Sequence, residues 1–179
     1  MEREEIHLRR VEVRAFRRAD GLYDIEARMQ DTKTHPFGPL GAASRQPGEP
    51  IHDLGVTLVV DENLKVHDAS AFTNATPFPQ CAGASSALAT LKGLTIGTGW
   101  LKNCRQRLAG AQGCTHMLEL LGPAGTTAYQ AMAPVHLGKP GPVDGNGKPK
   151  KIDSCWGYAS HQPIVLQRWP AFYTGPRGE

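Results

Sequence analysis

The chain reads as an α+β protein, an antiparallel sheet of two hairpins packed on about three helices. Two observations carry this reading. Before residue 70 apolar residues recur at every second position, in paired runs separated by Asp-led turns; from residue 81 they recur at every third and fourth position. Strands that precede helices, rather than alternate with them, give segregated layers.

The first hairpin opens with Val11, Val13 and Ala15 alternating with Glu12, Arg14 and Phe16. Asp20-Gly21 offers the turn, and Tyr23, Ile25, Ala27 and Met29 then alternate with Asp24, Glu26, Arg28 and Gln30. Period two with one apolar face marks an antiparallel sheet covered on one side. Residues 31–50 carry Pro36, Pro39, Pro47 and Pro50 and little periodicity, so they are expected to form a lid-like loop. The second hairpin runs through Val56, Leu58 and Val60, turns at Asp61-Glu62-Asn63, and leaves through Leu64, Val66 and Asp68.

Residues 81–92 are small and helix-compatible, with Ala84, Leu88 and Leu91 on one face. Thr98 is placed to cap a second helix that turns Leu101, Cys104 and Leu108 inward and stops at Gly110. A third helix starts near Thr115 with Met117, Leu118, Leu121, Ala124, Ala128 and Ala131 inward, and Pro123 after Gly122 should kink or restart it. Residues 133–152 are rich in Gly, Pro and Lys and read as a flexible excursion. The aromatic segment 153–175 is expected to pack back on the core of a single domain, 1–179.

A hydrophobic content of 40% and a charged content of 21% are those of an ordinary globular protein. The net charge of +3 is too small to argue for nucleic acid, and Arg9, Arg10, Arg14, Arg17 and Arg18 read as a solvated strand face. The opening MEREEIHLRR lacks the apolar run of a secretory signal, and no apolar stretch is long enough to span a bilayer. A cytoplasmic protein with reduced thiols at Cys81, Cys104, Cys114 and Cys155 is the expectation. No nucleotide-binding glycine loop occurs, since Gly97-Thr98-Gly99-Trp100 is not one; that counts against redox-cofactor and ATP chemistry.

Reactive side chains gather at Pro50-Ile51-His52-Asp53, at Cys81, at Gly113-Cys114-Thr115-His116 with Glu119 one turn on, and at Ser154-Cys155 with Tyr158 and His161. A thiol at a helix start meets unpaired backbone N–H groups and the positive end of the helix dipole, which favours thiolate. Cys81 and Cys114 both have that placement, whereas Cys104 on an amphipathic face reads as a small core residue. His7, His35, His67 and His136 read as solvent or turn histidines.

The strings RRVEVRAFRRADGLYDIEARMQDTK, GEPIHDLGVTLVVDE, GLTIGTGW and GCTHMLELL resemble a bacterial family of uncharacterised domains, domain-of-unknown-function family 2889. The resemblance runs from about residue 8 to the closing RWPAFYTG, implies a shared fold, and points toward small-molecule catabolism, including lignin-related aromatics. Residues 50–132 are also distantly similar to the NifU-like iron–sulfur scaffold and sulfur-acceptor superfamily. That likeness implies a NifU/SufE-like core in which Asp53, Cys81 and Cys114 share one pocket. Ser85-Ser86, Lys92-Gly93-Leu94-Thr95 and Glu119 fall at matching places. The first scaffold cysteine is missing, and Gly113 replaces the histidine before the last one.

The function expected is a cofactor-free lyase, cleaving a lignin-related aromatic diol by retro-aldol or elimination chemistry, with formaldehyde as a candidate product. His52 or His116 would move the proton and Asp53 or Glu119 would orient it. Cys81, Cys114, Trp156, Tyr158 and Trp169 would contact a small aromatic substrate. The alternative is a zinc- or iron-binding or sulfur-handling protein with Asp53, Cys81, Cys114 and His116 as ligands. A non-catalytic ligand-binding module is a third reading. Neither nucleic acid nor a membrane is an expected partner, and a homodimer is compatible with the exposed sheet edges.

Overall fold

A computed structural model describes residues 1–38, 44–136 and 139–176. The chain forms two compact units, Met1–Val135 and His136–Glu179. The first contains the sheet, β1 (His7–Arg17), β2 (Tyr23–Lys33), β3 (His52–Val60) and β4 (Val66–Ala75), antiparallel throughout and in the order β1-β2-β3-β4. The α+β expectation of two hairpins packed against helices therefore holds.

Strand parity decides what faces the core. Tyr23↔Val60, Ile25↔Leu58, Ala27↔Val56 and Met29↔Leu54 pair across β2 and β3, which puts odd residues of β2 and even residues of β3 on one face. Ile25, Ala27, Met29, Leu54, Val56, Leu58 and Val60 are all buried there. The first turn is built as its sequence implies: Gly21 takes φ 85°, and Asp20 Oδ1 accepts from Leu22 N at 3.1 Å. In the second, Asp61 Oδ1 accepts from Asn63 N and Lys65 N, while its other oxygen meets His67 Nε2 at 2.9 Å. Leu64 sits in this turn at φ 64°, and β4 begins only at Val66.

The core face is covered by a 3-10 segment (Pro79–Leu91), by α1 (Trp100–Leu108) and by α2 (Thr115–Ala131). The segment expected to be an α-helix takes the tighter winding. Leu88 and Leu91, three apart, suit its period of three and are its buried residues. It packs over Ala69, Ala71 and Thr73 of β4, whose short side chains allow a close approach. In the first turn of α1 the inward residue is Trp100 and not Leu101, which is exposed, because the buried stripe Trp100, Cys104 and Leu108 recurs at i, i+4 and i+8. α2 runs through Pro123 as one element instead of restarting. Gly122 helps, since a residue with no Cβ gives the following proline ring little to clash with in a helix. A short α3 (Ala133–His136) follows.

The loop after β2 starts later than expected, because Asp31, Thr32 and Lys33 still belong to the strand. Phe37 and Arg45 bridge each other, and the 39–43 part of the expected lid lies outside the described residues.

In the second unit, Asp144 Oδ1 accepts from Asn146 N at 2.8 Å and Lys148 N at 3.0 Å, closing a small hairpin between Val143 and Pro149. The expected excursion is thus folded at 143–149. Asp153 binds Lys148 Nζ at 2.6 Å and Ser160 N at 2.8 Å, α4 (Pro163–Arg168) follows, and the Tyr158 and Trp169 rings lie 6.0 Å apart. Among the described residues, no helix is long and apolar enough to cross a membrane.

Gly125 tests the packing of α1 on α2. A Cβ there would lie 2.9 Å from Trp100 Nε1, and that nitrogen is fixed by donating to Leu121 O at 2.8 Å. Gly125→Ala is expected to cost about 1–2 kcal/mol, because overpacking outweighs the better helix propensity of alanine. Urea unfolding at neutral pH measures it.

Candidate functional site

At one end of the sheet the core face turns polar. Arg9↔Asp31 pair across β1 and β2, and Asp31↔His52 across β2 and β3, so Arg9, Asp31 and His52 form one row over three strands. Asp31 continues the odd-numbered series Ile25, Ala27, Met29 onto the buried face and is only 1% exposed. A carboxylate that deep needs charged partners, and it has them. Arg9 Nε and Nη2 each lie 2.8 Å from one Asp31 oxygen, His52 Nδ1 lies 3.0 Å from Oδ2, and His7 Nε2 lies 3.3 Å from Oδ1. Burial pushes the Asp31 carboxyl up, but the hydrogen bonds and charge of Arg9, with help from His52, hold it below its ordinary value.

The start of α2 closes over this row. Gly113 has no Cβ to strike Leu108 O, which would lie 2.6 Å away, so the chain can press against the end of α1 before Cys114 and Thr115 begin the helix. His116 then stacks on His52, ring centroids 4.0 Å apart and planes tilted by 39°. One turn later Glu119 receives Arg9 Nη1 at 2.9 and 3.1 Å, so the same guanidinium ties β1 to α2 and to Asp31. Cys114 Sγ lies 3.9 Å from His116 Nδ1. That imidazole pulls the thiol below its ordinary value against the upward push of burial, with backbone N–H groups of Met117 and His116 adding to it.

Beside the row lies a cleft of about 350 Å³. His52 and Leu54 form its floor, Cys81 and Ala84 of the 3-10 segment one wall, and Cys114, His116 and Met117 the other. Its lining is mostly apolar, with the imidazoles and thiols as its reactive groups. All lining residues come from the first unit.

The structure thus brings together His52, Cys81, Cys114 and His116, with Glu119 joined through Arg9. It does not bring Asp53. Adjacent strand residues point to opposite faces, and Asp53 lies on the far side of the sheet. There Arg28 Nε and Nη2 hold it at 2.7 and 2.6 Å, and Asn74 Nδ2 approaches at 3.3 Å. Asp53 is therefore neither the partner of His52 nor a fellow ligand of Cys81, Cys114 and His116. The ligand-capable group found among the described residues is Asp31, His52 and His116, whose donor atoms all lie within 4.8 Å of one another.

Asp31 and Arg9 were not expected in the site. Parity was the available signal for Asp31; for Arg9, whose side chain spans two elements, the sequence offered none. His7 also joins the carboxylate instead of facing only solvent. Cys104 is a core thiol, pushed up to about 11 by burial. Trp156, Tyr158 and Trp169 belong to the second unit, where Trp156 is strongly exposed.

The family model described as "protein of unknown function (DUF2889)" matches residues 7–130, a span that holds every residue of the cleft and its Arg9–Asp31 support. No curated protein and no solved structure matches the chain. These comparisons lend no support to the expected NifU-like resemblance.

Asp31→Asn is expected to cost about 2–3 kcal/mol at pH 7, below the full cost of an orphaned buried charge because Arg9 is 34% exposed. A carboxyl held low in the folded state stabilises above its unfolded value and loses that contribution as pH falls through the folded one. The gap between wild type and variant should therefore shrink below about pH 4. Denaturant unfolding at pH 7 and pH 3 measures both quantities.

Proposed function

This chain belongs to the DUF2889 family, whose description names no activity, and from the site we propose that it is a cofactor-free lyase cleaving a small aromatic diol. The observation that carries this reading is the 3.0 Å contact of His52 Nδ1 with buried Asp31. With Nδ1–H directed at the carboxylate, the lone pair of the ring is on Nε2, as a general base requires. A second imidazole 4.0 Å away supplies the acid, and the mostly apolar cleft suits an aromatic ring.

On a 1,3-diol carrying a hydroxymethyl group, His52 would take the hydroxymethyl O–H proton. The O–H electrons become the C=O of formaldehyde, and the breaking C–C bond supplies the new C=C. The C–O bond to the second hydroxyl breaks as His116 delivers a proton, releasing water. Atoms and charges balance without an oxidant. Asp31 orients His52, the role the sequence assigned to Asp53 or Glu119, while Arg9 and Glu119 position Asp31.

A divalent metal on Asp31, His52 and His116 is the second reading, favoured by their mutual 4.8 Å spacing; two imidazoles and a carboxylate suit zinc or iron. It is the weaker one. Both Asp31 oxygens already accept from Arg9, and a guanidinium at a ligand carboxylate repels a cation. Elemental analysis of protein purified without chelator should find less than about a tenth of an equivalent of zinc or iron; a stoichiometric metal would promote this reading over the first.

Assayed with a panel of phenolic 1,3-diols, the wild-type protein should release formaldehyde together with a new conjugated absorbance. His52→Ala and His116→Ala should each lower turnover by about a hundredfold or more. Full turnover in the double variant would show that the chemistry lies elsewhere.

A further inference from the structure

The proposed base, acid and support leave both thiols of the cleft, Cys81 and Cys114, unused, and Cys114 is the one with an imidazole at hydrogen-bond distance. Cys114 lines the cleft, has its Sγ 3.9 Å from His116 Nδ1, and stands at the start of the 17-residue α2. It is half-buried, unlike Cys104, which is sealed in the core, and unlike Cys155, which is exposed. A thiol paired with an imidazole inside an accessible cavity is the arrangement of an activated sulfur nucleophile.

We propose that Cys114 and His116 form a thiol–imidazole pair that reversibly captures a small aldehyde in the cleft as a thiohemiacetal. The sulfur attacks the carbonyl carbon and a C–S bond forms. The C=O π electrons move to oxygen, and that oxygen takes the proton the thiol gives up, carried by His116. Reversal of the same step restores both partners, and no oxidant or reductant enters. The choice of formaldehyde as the aldehyde rests on the lyase reading, because that product would be formed beside Cys114. The nucleophilicity of the pair does not depend on that reading. Captured on sulfur, the aldehyde would be kept from lysine amines until it leaves as its hydrate.

The test uses the whole protein and no diol, so its outcome is separate from turnover. Wild type is treated with iodoacetamide at pH 6.5, and alkylation of each cysteine is followed by peptide mass spectrometry. Cys114 should react at least about tenfold faster than exposed Cys155, and His116→Gln should abolish that advantage. Cys104 should stay unmodified in both proteins, which reports that the variant is folded. Formaldehyde added first should slow alkylation of Cys114 but not of Cys155, and dilution should restore it. Equal rates at Cys114 and Cys155, or an advantage that survives in folded His116→Gln, would overturn the pair. Fast alkylation that formaldehyde does not slow would overturn aldehyde capture. Protection without measurable diol cleavage would support the pair and count against the lyase.

Discussion

Everything at the polar end of this sheet is arranged around one buried negative charge. Asp31 sits where β2 would otherwise place another Ile or Met, and a bare carboxylate there would be very costly. Arg9 resolves the problem by laying both ends of its guanidinium fork on the two oxygens. The remaining capacity of the carboxylate then fixes His52, and the far side of the guanidinium fixes Glu119 and with it the first turns of α2. The stacking of His116 on His52 follows from where α2 begins. A single desolvated charge thus sets the positions of three strands and a helix relative to one another.

The fold was largely legible because its signals are local. Alternation in 23–29 and 56–60, the Asp20-Gly21 turn and the apolar spacing of 117–128 each depend on a few neighbouring residues, and each element formed where the pattern put it. The helix starts were less legible. Cys104 and Leu108 face the core as their spacing implied, but Trp100, at i−4 from Cys104, takes the place expected of Leu101, at i−3, because either position borders the same helix face.

The site was legible in its components and misread in its pairing. His52 and Asp53 are neighbours in the chain, and in a strand that is what separates them. Asp31 was hidden by its surroundings, since DTKTHP looks like a loop, although continued parity from Met29 places it on the core face. His52 with His116, and Arg9 with Glu119, are contacts between distant segments. They depend on strand order and on the path of the chain past Gly113, neither of which is written in any window of sequence. Cys81 and Cys114, which only the distant NifU-like resemblance grouped with Asp53 in one pocket, do line one cleft, but the carboxylate beside it is Asp31 from a different strand.

The position of β1 has a consequence for how the molecule ages and breathes. It is one of the two edge strands, paired only with β2, and the residues before it are exposed. Edge strands open at lower free energy than the centre of a sheet. When β1 frays from its His7 end, Arg9 is among the first residues to leave, while Ile25, Leu58 and the helices stay packed. Asp31 then loses its counter-charge inside an otherwise intact protein. The arrangement of His52 is therefore less durable than the fold that carries it, and the chemistry of the cleft should be the first property lost to proteolysis or mechanical strain at the amino-terminal edge.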